Sequence, residues 1–389
     1  AEGTVLWSED FTGITNENAG TLRPYWSATA KDWDGSAQTD YSASAGGDWT
    51  KTSTEGISQR VVFEDGKLVL QDKLRATHNS LIAAVTIPFR DAEGNVPTIP
   101  STGYAVFEFE YEAENTPVAP ILNDGTLYMD DYQNSGRKYG KLSITETYGI
   151  EDMMTSGSTL ENRANNIRTA DDIEGKVVKI QYVFDIANRK YMVSATVDGE
   201  KSFNGTDWLD ASNAASGTST NITTGGQYYF NRIKLIQNDV YADAEGYSTA
   251  KYDNFLYTHY TADKLPSFLR ALIGEDELTS GAVDVDASGE IDVVFDRAID
   301  PASIGGITLV RTEDDEPVNV QVVMNGEKTA TVRYSGLHSL TEYELTIPKT
   351  VTAVNGLPLT SGDTITFTTK ELQIGEFDYN REVSSSLPN

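Results

Sequence analysis

The stretch DVDASGEIDVVFD, residues 284–296, crowds Asp284, Asp286, Ser288, Glu290, Asp292 and Asp296 into one short run. Oxygen donors at such spacing suit two chemistries, a calcium loop or a carboxylate pair for general acid/base work. A calcium loop of the helix–loop–helix kind needs a bidentate carboxylate at its twelfth position. Counted from Asp284 that position is Phe295, and no helical periodicity flanks the run. A glycoside-cleaving strand needs a nucleophile and an acid/base on one face, with carboxyl groups about 5–5.5 Å apart for retention. The acidic pattern would be Glu-x-Asp-x-Glu, or the same with one bulge residue. Val294 and Phe295 stand where the second Glu belongs, and Asp296 follows one residue late. Alternation puts Ile291, Val293 and Phe295 on one face and Glu290, Asp292, Val294 and Asp296 on the other. The run therefore reads as a turn followed by a half-buried strand.

Other reactive residues are sparse. The three histidines, His78, His259 and His338, lie at neither metal-ligand spacing nor in a Ser/His/Asp context. Glu108, Glu110 and Glu112 alternate along VFEFEYEAE as the wet face of an antiparallel strand would. Aromatics cluster more tellingly. Tyr25, Trp26, Trp33, Tyr41 and Trp49 fall close together, followed by Tyr128, Tyr132, Tyr139 and Tyr148. Sugar rings stack on aromatic faces while polar groups fix their hydroxyls. Trp26, Trp33, Trp49, Tyr128, Tyr132 and Arg137 are thus candidate glycan contacts, with at least one of the three tryptophans expected in the core. Arg137 and Lys138, beside Asp130 and Asp131 in MDDYQNSGRKYGK, read either as a recognition loop or as a solvated hairpin tip.

The elements that must position these residues are strands. KVVKIQYVFDI, KYMVSATVDGE, GKLVLQDK, GKLSITET and NRIKLIQ are short, β-branched or alternating, and separated by turn residues. The fold class is all-β, a sandwich or jelly roll. LPSFLRALI (265–273) is the one apolar stretch that reads as a helical turn, and it falls where a linker is expected. All five Trp precede residue 262, after which the chain is rich in Val, Ile and Thr. With 389 residues, two domains are comfortable.

Asp and Glu number 59 against 30 Lys and Arg, a net charge of −29, which argues against nucleic acid and anionic lipid as partners. Neutral polysaccharides and divalent cations remain natural ones. There is no cysteine, so neither disulfides nor thiol chemistry arise. No apolar run approaches the ~18–20 residues of a membrane helix. The start, AEGTVLW, has no basic and apolar leader, so either the chain is untargeted or a signal peptide has been removed. The polar tail after residue 372 reads as a linker to further domains of the same chain.

GEIDVVFDRAIDPASIGGITLV, followed by LHSLTEYELTIPKTVTAVNGLPLTSGDTITFTT, resembles the bacterial Ig-like domain of S-layer and other Gram-positive surface proteins. Asp296, Asp300, Pro301, Leu340, Tyr343, Gly356 and Phe367 occupy matching places. The resemblance implies a seven-stranded sandwich of ~100 residues that serves as a spacer. TVLWSEDFTG at the start, YSTAKYDNFLYTHY near 250 and the hairpin between them look like the laminin-G/concanavalin A-like jelly roll of bacterial extracellular proteins. There an early E-x-F strand pairs with a late D-N-F strand. That likeness implies a structural Ca²⁺ joining first strand to last, with Glu9 or Asp10 and Asp253 as hard oxygen ligands.

The domains expected are a jelly roll at 1–262, a linker at 263–273, an Ig-like domain at 274–371 and a tail at 372–389, with loop insertions at 14–56 and 123–172. The function expected is non-catalytic polysaccharide or cell-wall glycan binding by a secreted or cell-surface bacterial protein. Two alternatives stand beside it: a polysaccharide-degrading hydrolase or lyase with its site in the jelly-roll loops, and an architectural S-layer or adhesin segment.

Overall fold

The computed structural model describes residues 2–74, 81–114, 125–131, 134–145, 149–152, 166–210, 231–237 and 245–372. The chain divides into two compact units, Ala1–Lys264 and Leu265–Asn389.

The first unit is built almost wholly of strands. In chain order they are β1 (Thr4–Glu9), β2 (Ser27–Thr29), β3 (Lys31–Trp33), β4 (Gln38–Asp40), β5 (Gln59–Glu64) and β6 (Lys67–Lys73). Then come β7 (Ala83–Pro88), β8 (Tyr104–Glu114), β9 (Gly125–Asp131), β10 (Asn134–Thr145), β11 (Gly149–Asp152) and β12 (Asn166–Arg168). The last are β13 (Val177–Asp185), β14 (Lys190–Val197), β15 (Glu200–Phe203), β16 (Leu209–Asp210), β17 (Arg232–Gln237) and β18 (Tyr247–Tyr260).

Among the described residues they make two large antiparallel sheets. One has nine strands, ordered β15-β14-β13-β8-β18-β6-β5, with β1 beside β18 and β16 beside β14. The other has seven, ordered β12-β11-β10-β9-β17-β7-β2. The long strand β18 serves two neighbours in turn. Tyr247–Tyr252 pairs with β6, and Phe255–His259 pairs with β1, so the first strand closes against the last. Between these halves the register slips beside Asn254, whose φ of 53° is a left-handed turn asparagine tolerates.

Period-2 alternation makes the core. On β8 the residues Ala105, Phe107, Phe109, Tyr111 and Ala113 point inward, and Glu108, Glu110 and Glu112 lie on the opposite face. Facing them from the second sheet are Val85, Ile87, Leu142, Ile144, Ile233 and Leu235. This is the two-layer packing of a jelly-roll sandwich.

Two expectations change here. Segment 14–56 is not a simple loop insertion. It contributes β2 and a short β3–β4 hairpin, and it packs Ile14, Ala19, Trp26, Ala28 and Trp49 into the core. Segment 123–172 supplies β9 to β12, four of the seven strands of the second sheet. Polar strand residues such as Glu151 and Asp152, both buried, cannot be told from loop residues by sequence polarity alone.

The second unit has β19 (Phe268–Ile273), β20 (Asp276–Glu277), β21 (Ala282–Val285), β22 (Gly289–Phe295) and β23 (Thr308–Arg311). It continues with β24 (Glu316–Pro317), β25 (Gln321–Met324), β26 (Thr329–Tyr334), β27 (Glu342–Ile347) and β28 (Asp363–Thr369). They form two five-stranded sheets, β20-β19-β22-β26-β25 and β21-β28-β27-β23-β24. This is an Ig-like sandwich, though with ten strands among the described residues where seven were expected; short edge strands such as β20 and β24 make up the number.

The expected linker is likewise corrected. Phe268–Ile273 is a strand paired with β22, and Phe268 packs edge-on to Phe295 at 6.4 Å. A short apolar run fits strand and helix equally by period, and here pairing with β22 decides. Asp300 caps the turn at Pro301 by accepting the Ala302 N–H at 3.0 Å. Tyr343 is buried, and its hydroxyl accepts the His338 N–H at 2.9 Å, a corner role.

Candidate functional site

The acidic run at 284–296 is architecture. Glu290 is more than half exposed and pairs with Arg333 at 2.7 Å. Asp292 accepts the Thr331 hydroxyl at 2.5 Å on the neighbouring strand. Asp286 pairs with Lys370 at 2.5 Å, and Asp296 accepts the Ser267 N–H at 2.7 Å. Each of these four carboxylates is matched to a nearby partner.

In the first unit, two tryptophans proposed as stacking platforms are core residues. Trp26 is 3% exposed and Trp49 1%. Trp26 meets Phe11 edge-on at 5.8 Å and lies near-parallel to Phe63 at 6.3 Å, while Trp49 meets Phe63 at 5.6 Å. Rings so enclosed present no face to a sugar. Trp33 is half-buried at the end of β3. Tyr128 and Arg137 lie on β9 and β10, strands of the seven-stranded sheet that form a hairpin. Tyr132 falls outside the described residues.

Trp26 nevertheless leads to a cleft. A cavity of about 590 Å³ is bounded by β1, by Thr21–Trp26 and by the end of β7 with the turn after it, from Pro88 to Pro97. Its rim is built by local rules. Asp91 accepts both the Asn95 N–H (2.7 Å) and the Asn95 side-chain amide (2.9 Å). Those bonds hold Asp91 below the usual carboxylate range, so it is a poor proton donor near neutrality. Gly94 sits at φ 89°, and a Cβ there would clash with the Tyr25 hydroxyl. Glycine thus lets Tyr25 lie against the turn. Arg90 places its guanidinium 4.7 Å from the Tyr25 ring centre and donates to the Gly94 carbonyl at 3.1 Å. Tyr25 remains 36% exposed at the mouth, with Leu22, Val5 and Val96 exposed nearby.

At the floor Arg23 donates from Nε to Glu9 at 2.6 Å and stands over Trp26 at 5.5 Å. The other Glu9 oxygen accepts the Phe11 N–H at 2.9 Å. Both oxygens of this buried carboxylate are therefore engaged by the protein itself. Beyond the pair lies a second depression of about 410 Å³, bordered by Asp10, Glu108 and Asn254.

These contacts bear on the calcium expectation. Glu9 is committed to Arg23 and a backbone N–H, and Asp10 accepts the Thr12 N–H at 3.0 Å. Burial raises the pKa of Asp253, and Glu110 and Asp10 add to the rise against the Asn254 N–H. No group of three or more His, Asp or Glu able to hold a metal occurs among the described residues. At Glu9, therefore, the guanidinium of Arg23 already supplies the cation.

Tyr25, Arg90 and Gly94 were missed as a set because they join segments some seventy positions apart. The signal available was Tyr25 beside Trp26. Among the described residues no helix is long and apolar enough to cross a membrane.

No curated protein matches the chain. Among solved structures, it is similar to a carbohydrate esterase from the Shiga toxin-encoding bacteriophage phi24B. The identity is 12%, the overlap covers 67% of this chain and 100% of that one, and the TM-score is 0.36. A family 7 alginate lyase is similar at 11% identity, covering 63% of this chain and 97% of that one with a TM-score of 0.36. Lectin II from Ulex europaeus is similar at 10% identity, covering 52% and 91%, with a TM-score of 0.31. Residues 277–369 match the family model described as a bacterial Ig-like domain, so the chain joins a jelly-roll sandwich to a bacterial Ig-like sandwich.

Proposed function

We propose that the first unit binds a polysaccharide without cleaving it, in the cleft headed by Tyr25, and that the Ig-like unit is a spacer in a secreted or surface-exposed bacterial protein. The observation that carries this reading is Tyr25, a partly exposed ring fixed by Arg90 and Gly94 at the mouth of a cleft of about 590 Å³. A ring held before the ligand arrives loses little freedom on binding. Arg23, Asp91 and Asn95 line the same cleft and supply polar groups to hydroxyls. The non-catalytic part rests on the carboxylates. Glu9 is tied to Arg23 and backbone, and Asp91, held ionised by Asn95, is unsuited to the general-acid role that glycoside cleavage needs. Trp33 is an additional contact in this reading.

A glycan array probed with wild type, Tyr25→Ala, Arg90→Gln and Trp33→Ala tests it. Wild type should bind a polysaccharide, and Tyr25→Ala should lose roughly tenfold or more in affinity while remaining folded. Glycan cleavage abolished by one Asp or Glu substitution would replace this reading with the enzymatic one. Failure to bind, with self-assembly seen instead, would favour the architectural one.

A further inference from the structure

Exposed apolar side chains gather at the Tyr25 cleft. Single apolar residues scattered over a protein surface are ordinary, whereas a cluster marks a contact. Among the described residues of the first unit, the large apolar side chains left exposed are Val5 at 58%, Leu22 at 48%, Val96 at 38%, Tyr25 at 36% and Val177. All but Val177 line the same cavity of about 590 Å³. Separate segments supply them. Val5 comes from β1, Leu22 and Tyr25 from the stretch before β2, and Val96 from the chain just past the turn after β7.

A tyrosine ring stacks on the C–H face of a sugar, but valine and leucine give a hydroxyl no hydrogen bond. Bare hydroxyls pressed against them lose water without replacement. The polar groups of the cleft lean the same way. Its carboxylates already accept a bond at each oxygen, Glu9 from Arg23 and the Phe11 N–H, Asp91 from the Asn95 N–H and side-chain amide. Arg23 keeps N–H donors beyond its bonds to Glu9 and to the Leu22 carbonyl. Donors set beside aliphatic side chains match an ester, whose carbonyl accepts and whose alkyl end is apolar. We infer that the polysaccharide taken by this cleft is a neutral one carrying O-acyl groups such as acetyl. The acyl methyls lie against Leu22, Val5 and Val96, and the ester carbonyls face Arg23. A carboxylate-bearing polymer is a poorer occupant. Arg23 and Arg90 are matched in the cleft by Glu9 and Asp91, within a chain of net charge −29. This inference rests on the polysaccharide reading of the cleft and names the class of polymer.

An array of neutral plant and bacterial polysaccharides tests it, printed in native form and after mild alkali that removes O-acyl esters, with polygalacturonate beside them. The full chain should bind a native acylated polymer roughly fourfold or more better than its alkali-treated form, the factor expected per buried methyl. Val5→Thr/Val96→Thr, of nearly the same shape, should close most of that gap at unchanged melting temperature and still bind the alkali-treated form. Leu22→Gln should do the same. Tyr25→Ala should weaken binding of both forms. Equal binding of the two forms by wild type, or an unchanged gap in both rim variants, overturns the inference and leaves the polysaccharide reading standing. Preference for polygalacturonate overturns it as well. Failure of wild type to bind any polymer takes down both. Sedimentation of wild type as a dimer that Val5→Thr/Val96→Thr converts to a monomer would assign the apolar rim to a second copy of the chain, and that too overturns the inference.

Discussion

Glu9 is buried to 6% exposure, and both its oxygens are used, one by Arg23 and one by the Phe11 N–H. Removing Arg23 leaves a buried carboxylate short of its counter-charge. Arg23→Met should therefore destabilise the first unit by about 1–3 kcal/mol, read by urea denaturation. Adding Glu9→Gln to it should recover part of the loss, because the stranded charge is gone. Asp253 gives a second residue-scale test with a defined sign. Burial raises its folded pKa above the unfolded value, so the native state takes up the proton first as pH falls. Its ionisation thus costs stability above the folded pKa, and that cost is relieved as pH drops through it. Asp253→Asn should raise the melting temperature at pH 7, and the gap should close in acid. A gap that widens in acid would contradict the assignment.

At the scale of elements, the strand Phe268–Ile273 completes the Ig-like unit. A fragment beginning at residue 274 would bare the edge of β22 and lose the Phe268–Phe295 contact. It should melt well below a fragment beginning at residue 265 and aggregate more readily. Equal melting would show that β19 is dispensable. The alternating runs of β8 and β22 were legible in the sequence because alternation reports burial directly, and β13 and β14, buried nearly throughout, by their Val, Ile and Tyr content. The closure of β1 on β18 followed from the likeness of their E-x-F and D-N-F segments. β9 and the first half of β10 were harder. Their outer face is polar, and the signal of a one-sided strand weakens when turn residues interrupt it. At least one of Trp26, Trp33 and Trp49 was expected in the core, but which was not legible, since what buries Trp26 and Trp49 is Phe11 and Phe63 from other segments. The Tyr25 cleft depends on a turn near Gly94 meeting a residue far away, which no local pattern encodes.

At the scale of the molecule, the outer face of the nine-stranded sheet carries Glu108, Glu110 and Glu112 along β8. Glu108 and Glu112 are partly offset by Lys179 and Lys67 at 3.2 Å, exposed pairs that contribute little to stability. The central claim is that Tyr25 heads a polysaccharide site that binds without cleaving. Isothermal titration of the best array ligand into wild type and Tyr25→Ala, with chromatography of the ligand after prolonged incubation, tests it most directly. The account predicts saturable binding by wild type, a loss of roughly tenfold or more in Tyr25→Ala, and a ligand of unchanged chain length. Shortened ligand, or equal affinity in the two proteins, would contradict it.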